Sequence, residues 1–232
     1  GNIGSGKSTL IRELEKVIKS ISYQCENKGN GSTGGTITKI PIVYLQEPVN
    51  EWNKITDKNG ESILSKFYKD QEKYSFSFQM MAYITRLSSL KKAIKSDYDI
   101  IVTERSIFTD KNVFAKMLFL QKKMNDIEWQ VYNLWFDEFA EIIKDIKTIY
   151  IKTSPDICQN RIIKRNRLGE NISYKYLSDC HYYHEIWLND INKIENGNIL
   201  VINGNTETNT SIFINNSYYD DLMNNVYTFM KS

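Results

Sequence analysis

A glycine-rich turn carrying a lysine and two carboxylates set beyond apolar runs are the parts of this sequence that can do chemistry together. Gly1-Asn2-Ile3-Gly4-Ser5-Gly6-Lys7-Ser8-Thr9 contains the spacing Gly-x4-Gly-Lys-Ser, followed directly by helical periodicity. In such a loop, backbone N–H groups face the phosphates of a nucleotide, Lys7 reaches the terminal phosphates and Ser8 can ligate magnesium. The loop implies a nucleotide but leaves the reaction open. Glu47 follows one apolar run and Glu104 follows another. A carboxylate just past the C-terminal end of a strand lies on the ligand side of an open α/β sheet. Glu47 is thereby placed to accept a proton from a hydroxyl attacking a γ-phosphate. Glu104 is placed to hold magnesium through water, and Arg105 to brace Glu47 or the transferring phosphate.

Two further groups complete the set. Gln79, Ala82 and Arg86 are spaced by three and four, so they share one helix face. Glutamine can pair bidentately with a base edge, alanine leaves room, and arginine adds a cationic fork. Asp110, six residues after Glu104, is placed to hold Arg86. Arg161 and Arg165 share another face, with Arg167 just beyond. Such a cluster can close over ATP and neutralise charge on the γ-phosphoryl oxygens. No interleaved aromatics support reading it as an RNA-binding stripe.

The elements that position these residues read as alternating strands and helices. Strands are expected at 40–45, 99–102, 148–151 and 199–202. Helices are expected at 6–22, 60–69, 75–95, 109–123, 127–145, from Ser154-Pro155-Asp156 with Ser154 as N-cap, at 174–193 and at 217–231. Residues 26–38, rich in Gly, Asn, Ser and Thr, read as a flexible loop. The alternation implies an α/β fold: a single domain over 1–232, with a parallel sheet flanked by helices on both faces. A phosphate-binding loop hangs from a buried strand. The reading therefore expects a strand before Gly1, and the sequence to be a fragment cut at that junction.

Composition narrows the partners. The 232 residues carry a formal net charge of +2, with 41% apolar and 25% charged residues. Neither nucleic acid nor an anionic membrane is implied, and no run of 18 apolar residues exists to span a bilayer. Cys25, Cys158 and Cys180 are too few and too widely spaced for a disulfide framework or a zinc site, which suits a cytoplasmic setting.

Taken together, GNIGSGKST, EPVNEW, YSFSFQMMAYITR, ERSIFTD, RIIKRNRLGE and SYKYLSDCHYYHEIWL resemble the cellular and viral deoxynucleoside kinases, over Gly1 to about Val201. The resemblance implies a P-loop kinase that uses Mg-ATP, with Glu47 as general base on the nucleoside 5′-hydroxyl and Arg105 beside it. It implies that Tyr68 and Glu170 bond the sugar 3′-hydroxyl, that Gln79 reads the base, that Phe114 stacks on it and that Trp52 walls the pocket. Arg161, Arg165 and Arg167 match the arginines of the 161–170 lid. The Arg86–Asp110 pair and Ala82 go with deoxycytidine and purine deoxynucleosides rather than thymidine. A homodimer on the helices near 109–123 and 127–145 is also implied. The sequence after Asn203 departs from the family's adenine-binding loop, and 26–38 is longer than the family leads one to expect. Two rivals remain. A thymidylate-type kinase usually carries an arginine where this chain has Gln46. A non-catalytic relative would not need Lys7, Ser8, Glu47 and Arg105.

Overall fold

The computed structural model describes residues 1–27, 41–141, 143, 146–167, 169–194, 198–206 and 217–232. Helix α1 (Lys7–Asn27) runs out of the glycine-rich turn and leads to β1 (Ile42–Leu45). Short helices α2 (Val49–Lys54) and α3 (Ile63–Lys69) precede the long α4 (Gln71–Ile94) and β2 (Ile100–Thr103). One turn, α5 (Ile107–Thr109), passes into a π-helical turn (Asp110–Ala115), then α6 (Lys116–Leu120) and α7 (Asp126–Ala140). Strand β3 (Thr148–Lys152), α8 (Pro155–Arg165), α9 (Tyr174–Ile194), β4 (Ile199–Asn203) and α10 (Ser217–Lys231) complete the described order. Among the described residues, no helix is long and apolar enough to cross a membrane.

All four expected strands form, and both pairings are parallel. Strand β1 pairs β2 from Ile42↔Ile100 to Leu45↔Thr103. Strand β3 pairs β4 from Thr148↔Ile199 to Lys152↔Asn203. The single sheet expected from the sequence is, among the described residues, two separate pairs. A groove of about 930 Å³ lies between them, lined by Ile100–Thr103 on one side and by Ile146 and Ile149 on the other. Gly1 contacts Arg105, one of the residues that line this groove. Its carbonyl accepts from Arg105 Nη1 at 3.2 Å, and a Cβ added to it would stand 2.5 Å from the Ile151 carbonyl oxygen.

Strand β3 shows why helices cover both faces. Side chains alternate across a strand. Ile149 packs toward the cluster of Leu14, Ile202, Met223 and Val226, which joins α1, β4 and α10. Tyr150 faces the other way and stacks on His184 of α9, with ring centroids 6.0 Å apart. The larger core lies around α3, α4, α7 and α9, with Phe67, Leu87, Met117, Leu118 and Leu177 almost wholly buried.

Several helix boundaries differ from the expectation, and caps explain most of them. Helix α4 begins at Gln71, not 75, because the Asp70 side chain accepts from Lys73 N at 3.1 Å. Helix α3 is capped in the same way by Ser62 and starts at Ile63. Helix α7 opens on a reciprocal box between Asn125 and Glu128. The stretch expected as one helix over 109–123 is broken into α5, the π turn and α6, and Lys122 then takes a left-handed φ of 60°. Ser154 occupies the N-cap position of α8 but makes no side-chain cap bond; Pro155 starts the helix with its fixed φ. Helix α1 extends through residues 26 and 27, expected as loop, and residues 28–38 of that expected loop lie outside the described residues. So does part of the 127–145 helix beyond Ala140.

Candidate active site

The ends of β1 and β2, the loop before α1, the middle of α4 and the π turn converge on one cavity of about 1020 Å³. At one end of the cavity the glycine-rich loop is closely packed. Gly4 has φ +77° and lies so close to α8 that a Cβ would stand 2.6 Å from the Cys158 carbonyl oxygen, so no larger residue fits. Asn2 is buried; its Nδ2 donates to Leu177 O at 2.8 Å and its Oδ1 accepts from Ile3 N at 2.8 Å. Thr153 Oγ1 and Arg161 Nη1 both donate to Ser5 O, at 3.1 and 3.3 Å. Lys7 Nζ donates to Asn2 O at 2.8 Å. Burial, aided by Arg105 and opposed by Glu104 and Glu47, lowers the Lys7 pKa to about 7. Ser8 Oγ donates to Glu104 Oε1 at 3.0 Å across the loop and the end of β2.

At the other end, four charges lock together. Glu47 Oε1 accepts from Arg86 Nη2 and, at 3.1 Å, from Arg105 Nε. Arg86 Nη1 donates to Asp110 Oδ1. Two carboxylates and two guanidinium groups therefore balance in a space where each side chain is 17% exposed or less. Burial pushes the Glu47 carboxyl up, but Arg105, Arg86 and Lys7 together outweigh it and hold the group well below the usual glutamate value. Asp110 goes the other way: burial raises its pKa more than Arg86 lowers it. Arg105 also lies over the Phe114 ring, 4.7 Å from its centroid, and Arg86 over the Trp52 ring at 5.1 Å. The π turn presents both Asp110 and Phe114 to the cavity.

These features have counterparts in known proteins. A family model described as deoxynucleoside kinase matches residues 1–231. The chain belongs to the deoxynucleoside kinase family. It is an enzyme of the phosphotransferase class. A probable deoxycytidine kinase of fowlpox virus (strain NVSL) is 34% identical over 99% of this chain and 86% of its own length. The deoxycytidine kinase of Homo sapiens is 31% identical over 81% of this chain and 73% of its own. A mitochondrial deoxyguanosine kinase of Xenopus laevis is 26% identical over 97% of this chain and 85% of its own.

Within this kinase, nearly all the residues singled out from the sequence line the one cavity. Ile3, Gly4, Gly6, Lys7, Ser8 and Thr9 of the loop line it, as do Arg161, Arg165 and Arg167. Glu47, Trp52, Tyr68, Gln79, Ala82, Arg86, Glu104, Arg105, Asp110, Phe114 and Glu170 line the rest. Gly1, Asn2 and Ser5 lie behind the loop and support it rather than face the cavity. Arg161 braces the loop through its bond to Ser5 O, and its Nη2 donates to Thr206 O at 2.9 Å. Arg165 Nη2 and Arg167 Nη1 both donate to Glu170, the latter at 2.9 Å. Burial and the Glu170 charge raise the Tyr68 pKa, in that order.

Sequence reasoning missed Leu64, Phe67, Phe78 and Tyr176, which form an apolar, mostly aromatic part of the cavity lining. Phe67 and Phe78 stack with centroids 4.4 Å apart, and Tyr176 meets Tyr68 edge-on at 6.1 Å. The aromatic density of YSFSFQ was a signal, since Phe78 adjoins Gln79.

The depressed Glu47 pKa makes stability depend on pH with a defined sign. Its contribution is fully present above the ordinary value of 4.5 and is lost as pH falls through the lower folded value. Urea unfolding of the wild type and Glu47→Gln between pH 3 and pH 6 should show a stability gap that narrows as the solution is acidified. A gap that stays constant across that range would contradict the paired, ionised state of Glu47.

Proposed function

We propose that the kinase transfers the γ-phosphoryl group of ATP to the 5′-hydroxyl of a deoxynucleoside and prefers deoxycytidine, deoxyadenosine and deoxyguanosine to thymidine. The observation that carries this reading is the single cavity holding both the Lys7–Ser8 loop and a carboxylate fixed by two arginines. The 5′-oxygen attacks the γ-phosphorus as the bond to the β-phosphate oxygen breaks, ADP leaves, and the hydroxyl proton passes to a Glu47 oxygen. Because Glu47 is a weak base in this setting, it acts first as a hydrogen-bond acceptor that orients the hydroxyl. It takes the proton once bonding to phosphorus has made that oxygen acidic. Lys7 meets the terminal phosphates. Ser8 and Glu104 offer hydroxyl and carboxylate oxygens, the hard donors suited to magnesium, which when bound neutralises phosphate charge.

The donor phosphates compete with Glu170 for Arg165 and Arg167. Their binding draws the two arginines toward the γ-phosphate and frees Glu170 to join Tyr68 at the sugar 3′-hydroxyl. Gln79 reads the base edge from α4, and Phe114 supplies the stacking face. Asp110 Oδ2 and Arg86 Nε are buried and have no hydrogen-bond partner among the described residues. They are the valences left for a base, and the pair occupies space that a 5-methyl group would need. The names of the deoxycytidine and deoxyguanosine kinase relatives support the same preference.

A homodimer is part of the proposal. Ile127, Leu134 and Trp135 fall at i, i+7 and i+8 on α7, forming one stripe, and are 72, 72 and 44% exposed. A second copy of the chain would cover that stripe.

Two measurements test these readings. Across the four deoxynucleosides and thymidine monophosphate, kcat/KM should be highest for deoxycytidine or a purine deoxynucleoside and negligible for the monophosphate. Thymidine as best substrate would overturn the base preference, and turnover of the monophosphate alone would overturn the acceptor assignment. In sedimentation velocity the protein should run as a dimer and Leu134→Glu as a monomer; a monomeric wild type would refute the assembly.

A further inference from the structure

Thr85 lies in the middle of α4, one residue before Arg86. A β-branched side chain with a hydroxyl does not favour a helix interior, so its presence there calls for a local reason. Thr85 Oγ1 bonds back to Met81 O at 2.7 Å and to Ala82 O at 3.1 Å. That arrangement uses the single hydroxyl hydrogen and leaves the oxygen lone pairs free to accept. One accepts from Trp52 Nε1 at 3.0 Å. Trp52 is 4% exposed, so its indole N–H has no solvent alternative. Two other groups fix the same ring. Phe78 meets it edge-on at 5.5 Å, and the Arg86 guanidinium lies 5.1 Å from its centroid. Arg86 in turn carries Glu47 and Asp110.

We propose that Thr85 is a positioning residue for the acceptor nucleoside: its hydrogen bond to Trp52 sets the angle of the indole wall and, through the indole face, the seat of Arg86. The proposal rests on the reading of the cavity as a deoxynucleoside site. Valine at 85 has the same shape but leaves the buried indole N–H without an acceptor. The ring then turns to find another partner, and both the wall of the base pocket and the face under Arg86 move with it. Serine keeps the acceptor.

The test uses Thr85→Val, Thr85→Ser, Trp52→Phe and the Thr85→Val/Trp52→Phe pair. Thr85→Val should raise KM for the preferred deoxynucleoside roughly tenfold, with the donor KM within about twofold of wild type. Thr85→Ser should restore the wild-type KM. In the Trp52→Phe background, Thr85→Val should add less than about twofold, because the two residues act as one unit. The Trp52 indole N–H resonance, assigned by its loss in Trp52→Phe, should shift and exchange faster in Thr85→Val but not in Thr85→Ser. An unchanged KM, an equal KM effect in both backgrounds, or an unmoved indole resonance would each overturn the proposal. A wild type that phosphorylates no deoxynucleoside would overturn the reading of the cavity instead, and the indole resonance would still decide whether Thr85 holds Trp52.

Discussion

The structure of the acceptor end depends on one constraint: four charged side chains must leave water together and find one another. Glu47 comes from the end of β1, Arg105 from the end of β2, Arg86 from α4 and Asp110 from the π turn. Desolvating any one of them alone is strongly unfavourable, and removing one partner from such a group typically costs about 3–5 kcal/mol. The set is tolerable only with charges balanced and hydrogen bonds made. That requirement fixes how the two strand ends, the helix and the π turn sit relative to one another. The same requirement fixes where the Glu47 carboxylate points.

The phosphate end obeys a different rule. There the backbone does the work, and it is held by close approach rather than by charge. Gly4 lies against Cys158, Asn2 is tied to Leu177, and Ser5 O is gripped by Thr153 and Arg161. On the proposed reading, a loop pinned to α8 and α9 would present its N–H groups to a phosphate without rearranging, as preorganised dipoles do in catalysis. Burial lowers the Lys7 pKa to about 7, and on the proposed reading nearby phosphate oxygens would favour its charged form. The enzyme of this family thus has a stiff cradle on one side and a charge-balanced clamp on the other, facing one cavity.

Much of this was legible in the sequence because the chemistry is local. The loop spacing, the carboxylates after apolar runs and the i, i+3, i+7 face of Gln79, Ala82 and Arg86 all reside in short segments, and all but Gly1, Asn2 and Ser5 of the loop line the cavity. What was hidden depends on distance in sequence or on caps. The start of α4 turns on Asp70, which looks like any loop aspartate. The π turn cannot be told from ordinary helix by periodicity over six residues, yet it brings Asp110 and Phe114 to the site. The division of the strands, among the described residues, into two pairs is a matter of pairing between strands, and no pattern within a single strand reports it. The arginines at 165 and 167 read as phosphate ligands; that they also pair with Glu170 is a contact within a single turn, visible only once Asn166 is seen in its left-handed conformation.

The central claim is that Glu47 receives the proton of the attacking hydroxyl. Single-turnover kinetics of Glu47→Gln, which keeps the shape and removes the basic oxygen, test it most directly. The account predicts a phosphoryl-transfer rate lower by roughly 10²–10⁴-fold, with affinity for the donor nucleotide unchanged. A transfer rate close to wild type would show that the carboxylate is structural and that the proton leaves by another route.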